Sequence, residues 1–136
     1  MSGYVASVDL PLNDHAPAVA RRLLRDACDA WGFTDAYWLA GADLIITELV
    51  TNAIRHGGGQ VALEVRAHED RVTVSVADGS AVVPRLVGDD GAPDRATGRG
   101  VAIIAGIAEQ WGVESHEGGK RVWALLPPHP GRPGPG

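Results

Sequence analysis

The sequence predicts an α+β fold, a two-layer sandwich with a mixed, mostly antiparallel sheet covered on one face by about three helices. Two pairs of segments with period-two alternation, 61–67 with 71–78 and 111–116 with 121–126, are separated by short turns. Such spacing suits hairpins and is too short for parallel crossovers. Two longer stretches, 16–31 and 34–56, carry apolar residues at helical spacing. With 45% hydrophobic residues in 136, the chain can bury one core.

Taken in order, Tyr4 to Leu10 reads as a short strand, broken by Pro11, Asn13 and Asp14. Ala16 to Trp31 follows as a helix with Val19, Leu23, Leu24 and Ala27 on one face, stopped by Gly32. Thr34 or Asp35 caps a second helix running to about His56. Its inner face is Leu39, Ala42, Ile46, Leu49, Val50 and Ala53, and Gly57-Gly58-Gly59 ends it. The first hairpin turns at Glu69-Asp70. Residues 79–97 have no convincing period, and a loop of that length in one domain is usually functional or mobile. A third helix is expected from near Arg99 to about Gln110, then the second hairpin around Gly118-Gly119. Residues 1–126 thus form a single domain, and the Pro/Gly-rich stretch 127–136 reads as a disordered tail.

Composition narrows the function classes. Twelve basic against seventeen acidic residues give a formal charge of −5, which disfavours DNA or RNA as a direct ligand. Cys28 is the only cysteine, so an internal disulfide and a multi-cysteine zinc site are excluded. Its apolar helical setting reads as core. No apolar run approaches the ~18 residues that span a bilayer, and no leader pattern opens the chain. Both absences point to a cytoplasmic protein without a membrane partner.

The most informative stretch is Glu48-Leu-Val-Thr-Asn52-Ala-Ile-Arg-His56-Gly57. A carboxylate, a carboxamide and an imidazole recur every four residues and so stack along one helix face. A neutral carboxamide can supply one of the few protein oxygens that Mg²⁺ takes beside phosphate and water, or it can be a solvated side chain on the helix surface. A carboxylate one turn away can accept a proton from an attacking hydroxyl, or can simply orient Asn52 or water. His56 can meet phosphate, or it can end the helix where a cation favours the dipole. Asp78-Gly79 closes a strand and either serves a site or turns the chain. Gly98-Arg99-Gly100 opens a helix, where free N–H groups suit phosphate, or gives the helix a flexible start.

Together these segments resemble the GHKL superfamily of ATPases and kinases, most nearly the small anti-sigma-factor serine kinases. The resemblance spans about 5–126 and rests on the Glu48–Gly57 segment, Val76-Ala-Asp78-Gly79, Gly98-Arg-Gly100-Val101-Ala-Ile-Ile and Gly119-Lys-Arg-Val-Trp-Ala124. It implies a Bergerat-type ATP-binding fold and ATP with Mg²⁺ as cofactors. It also implies serine/threonine-protein kinase activity, with Glu48 as the catalytic base and Asn52 as the Mg²⁺ ligand. Asp78 would accept a hydrogen bond from the adenine amine, with Gly79 beside it. Gly98, Arg99, Gly100, Val101 and His56 complete the implied ATP contacts, and either Arg99 or Arg95 would neutralise γ-phosphate charge. Ser80 stands where the family's glycine box has its first Gly. The partners implied are a sigma factor and a small antagonist protein, and the chain is expected to pair as a homodimer. The reading set against this is a non-catalytic, ATP-dependent partner-binding module.

Overall fold

Period-two alternation in four of the five strands settles which face of the sheet is dry. The computed structural model describes residues 3–56, 59–79, 102–116 and 118–130, with the side chain of His56 left out. The elements are β1 (Gly3–Leu10), α1 (Ala16–Trp31), α2 (Ala36–His56), β2 (Val61–His68), β3 (Arg71–Asp78), α3 (102–107), β4 (Gln110–His116) and β5 (Gly119–Leu125). The strands form one sheet in the order β1-β2-β3-β5-β4. Every pair is antiparallel, so the mixed sheet expected from sequence is antiparallel throughout the described residues.

Register puts Val61, Leu63, Val65 and Ala67 of β2 on the same face as Val72, Val74 and Val76 of β3 and Val122 and Ala124 of β5. All are buried. Fully burying a valine or leucine among them stabilises the fold by roughly 1.5–3 kcal/mol. Against this face lies α2, with Leu39, Ala42, Ile45, Ile46, Leu49, Val50 and Ala53 buried along it. This is the inner face predicted from sequence, with Ile45 added. On α1 the buried line is Ala16, Ala20, Leu24, Ala27 and Cys28. Val19 and Leu23 are only partly covered, so the helix is rotated slightly from its predicted orientation.

Helix ends follow from local chemistry. Pro17 sits in the first turn of α1, where its missing N–H costs nothing. Gly32 ends α1 at φ 89°, donating its N–H to the Cys28 carbonyl. Asp35 caps α2: its Oδ2 accepts from the Trp38 N–H at 2.9 Å. Helix α3 ends earlier than predicted, because Glu109 N–H donates to the Leu125 carbonyl and so enters the sheet. Ile104 of α3 is buried in the same core.

Residues 127–130 depart from the predicted disordered tail. The Trp38 indole N–H donates to the Pro127 carbonyl (2.8 Å), and the Asp35 N–H donates to His129 Nε2 (3.0 Å). His129 is 7% exposed and meets the rings of Phe33 and Trp38 edge-on. One aromatic side chain supplies what the Pro/Gly composition seemed to lack. Residues 131–136 lie outside the described residues. Among the described residues no helix is long and apolar enough to cross a membrane.

Candidate functional site

One end of the sheet gathers the chemistry. Leu10 pairs with Val61 and Ala62 with Ala77, while Asp78 pairs with Lys120. Helix α2 ends at His56, with only four residues between it and the start of β2 at Val61, so its C-terminal turn lies at this same end. The chain also leaves β3 here.

On α2, Glu48 and Asn52 are both half-buried. They share a flank with Gly41, seven and eleven residues back along the helix. A Cβ on Gly41 would stand 3.3 Å from Ile107 Cγ2, so this is the flank against which α3 packs. Glu48 lies roughly 10 Å along the axis from that contact, toward the site end. The carboxylate and carboxamide thus continue, toward the site end, the flank of α2 that meets Ile107 of α3. Neither faces open solvent over its whole surface, as a merely solvated stripe would.

Asp78 is the last residue of β3 and points to the helix-covered side, in phase with Val72, Val74 and Val76. It is 5% exposed. Both of its carboxylate oxygens accept hydrogen bonds from Lys120 Nζ, each at 3.0 Å. Glycine at 119 makes the pairing possible, since a Cβ there would collide with the Asp78 carbonyl. The β5 backbone therefore comes in close and sets Lys120 opposite the aspartate. Burying two opposite charges is tolerable because each compensates the other.

The remaining predicted residues divide. Gly79 follows Asp78 and is exposed. His56 ends α2. Ser80, Arg95, Gly98, Arg99, Gly100 and Val101 lie outside the described residues. An open cleft of about 320 Å³ between the N-terminus of α1 and α2 is lined by Asn13, Asp14, Pro17, Thr51, Ile54 and Arg55. Arg55, seven residues on from Glu48, places this cleft beside the Glu48 flank of α2, on its α1 side, and none of the described residues lining it is among the predicted ones.

A layered α+β sandwich, with a carboxylate and a carboxamide one turn apart on a helix over an antiparallel sheet and a buried aspartate closing a central strand, is a definite arrangement. The family model for the histidine kinase-like ATPase domain matches residues 10–126. The chain belongs to this family. No curated protein matches it significantly. Membership implies ATP binding and agrees with the five-stranded sheet and three helices of the described residues.

For a histidine kinase-like ATPase domain, the residue that sequence reading missed is Lys120. A signal was available: Lys120 occupies the inward phase of β5 with Val122 and Ala124, and it is the only lysine in the chain. A cation on an apolar strand face demands a buried partner. Asp78, already singled out, was the nearest candidate.

Proposed function

We propose that the protein is an ATP-binding regulator of the anti-sigma type. It transfers phosphate to a serine or threonine of a small antagonist protein and sequesters a sigma factor, working in the cytoplasm as a homodimer. The observation that carries this reading is the placement of Glu48 and Asn52 together, half-buried, on the flank of α2 that borders α3.

In this reading Glu48 accepts the proton of the attacking hydroxyl, and Asp78 accepts a hydrogen bond from the adenine amine. Gly98, Arg99, Gly100, Val101 and His56 are assigned to the phosphates, with Arg99 or Arg95 offsetting their charge. Among the described residues no cluster of three or more His, Cys, Asp or Glu side chains could hold a metal alone. The Asn52 amide oxygen fits Mg²⁺ with the rest of its shell coming from phosphate and water. When bound, Mg²⁺ would neutralise phosphate charge.

The test is phosphate transfer from labelled ATP to an antagonist encoded beside the gene. Glu48→Ala is expected to cut transfer by roughly 10²–10⁴-fold while leaving ATP binding in place. Unchanged transfer removes Glu48 from its role.

A second reading, a non-catalytic module in which ATP only sets the partner-binding state, is favoured by two observations. Ser80 replaces a glycine of the family's box, and Asp78 is already engaged by Lys120. Tight ATP binding with no transfer to any antagonist selects this module over the kinase.

A further inference from the structure

We propose that the cleft between α1 and α2 seats the protein substrate, and that Arg55 there pairs with a carboxylate of that partner. The inference rests on the reading of a small antagonist protein as the partner. It specifies the surface and the charge by which that protein is chosen.

The two walls of the cleft carry opposite charges that do not pair with each other. Asp14, just before α1, and Arg55, in the last turn of α2, line the same open space of about 320 Å³. Both are exposed, and neither side chain has a hydrogen bond or ion pair among the described residues. Arg21, Arg25, Arg66, Arg71 and Arg121 are by contrast held by Thr47, Asp43, Glu64, Glu109 and Ser75 in turn. Arg22 is uncommitted as well, but it lines no part of the cleft. Pro17 and Ile54 give the cleft apolar wall. An entering segment of protein can set an acidic side chain on Arg55, a backbone N–H on Asp14 and aliphatic carbon on Ile54, so its charge and polarity complement the walls.

Exposed apolar side chains extend this surface. Leu44 and Tyr37 lie seven and fourteen residues back from Thr51, on the same outward face of α2, and are 51% and 91% exposed. Leu12, next to Asn13 at the mouth of the cleft, is 61% exposed. One exposed apolar residue means little, but three ranged along one charged cleft mark an interaction surface. From Tyr37 to Arg55 the stripe runs about 27 Å, a length that fits the roughly 800 Å² each partner contributes to a stable interface. Glu48 stands on this stripe roughly 10 Å along the axis from Arg55, about three residues of extended chain. A partner that presents its hydroxyl to Glu48 and a carboxylate about 10 Å away to Arg55 is met at both points together.

The test titrates the antagonist protein encoded beside the gene into the full chain by calorimetry, with magnesium and a non-hydrolysable ATP analogue present. Arg55→Glu is expected to weaken binding at least about tenfold, and Leu44→Asp by a similar factor. Arg66→Glu makes the same charge change on the outward phase of β2 and is expected to bind like wild type. Affinity for the ATP analogue should be equal in all four proteins. Among antagonist variants with single acidic residues near the acceptor hydroxyl changed to lysine, one is expected to restore binding to Arg55→Glu. Wild-type affinity in Arg55→Glu overturns the inference, as does an equal loss in Arg66→Glu, a loss of nucleotide affinity in Arg55→Glu, or no binding by the wild type. Binding that shows this pattern without phosphate transfer from ATP supports the docking site and removes the kinase reading alone.

Discussion

At the residue scale, Cys28 and the Asp78–Lys120 pair show how burial sets chemistry. Cys28 is fully buried on α1, and desolvation pushes its thiol up to about 12, with Arg25 opposing and Asp43 adding to the effect. The folded state thus holds its thiol proton to higher pH than the unfolded chain, which begins to lose it near 9. The sign follows: this contribution to stability is intact below about pH 9 and is lost as pH rises toward about 12. Urea unfolding of the wild type is expected to weaken over that window by up to about 4 kcal/mol more than Cys28→Ala does. Parallel pH profiles for the two proteins would contradict this. The same scale divides what the sequence disclosed. Glu48 and Asn52 were legible because a helix repeats every 3.6 residues, so spacing alone put them on one flank. Lys120 was not, because its partner lies 42 positions away and only the strand register brings the two together.

At the scale of elements, α2 and the hairpins were readable from periodicity, since each buries its apolar phase against the layer it packs on. What escaped was decided by neighbours. Helix α3 stops early because β5 captures Glu109, and α1 turns slightly to bury Ala20 and Cys28. The β4–β5 hairpin depends on glycine twice. Gly118 takes φ 88° in the turn, a conformation that side chains resist. Gly119 lets β5 close on β3. Gly119→Ala is expected to destabilise the protein by about 1–3 kcal/mol in urea denaturation, because the added methyl meets backbone rather than a movable side chain. A stability equal to wild type would show that β3 and β5 can separate freely. Gly112 plays a related part: its missing side chain leaves room for the Trp123 ring, which would lie 2.8 Å from a Cβ there.

For the molecule as a whole, 127–130 acts as a clasp. The chain crosses back from β5 to the start of α2, where Pro127 takes the Trp38 indole N–H and His129 fills the corner between Phe33 and Trp38. Truncation after Leu126 is expected to cost about 2–4 kcal/mol, the worth of two hydrogen bonds and the ring contacts. Scanning calorimetry reads the loss directly, and an unshifted melting temperature would mean that the clasp adds nothing. Composition concealed it because nine prolines and eighteen glycines in the whole chain make such a segment look featureless, while one histidine decides its fate. The end of the sheet that holds Asp78 and Lys120 is built from distant parts of the chain in the same way, so its geometry belongs to the fold and not to any one motif.

The burial of Lys120 has one more consequence. Apart from its α-amino group, the native chain presents no primary amine to solvent. Amine-reactive dyes and crosslinkers, and enzymes that conjugate modifiers to lysine, would find nothing else to attack until the fold opens. Acylation of Lys120 therefore serves as a built-in clock for that opening.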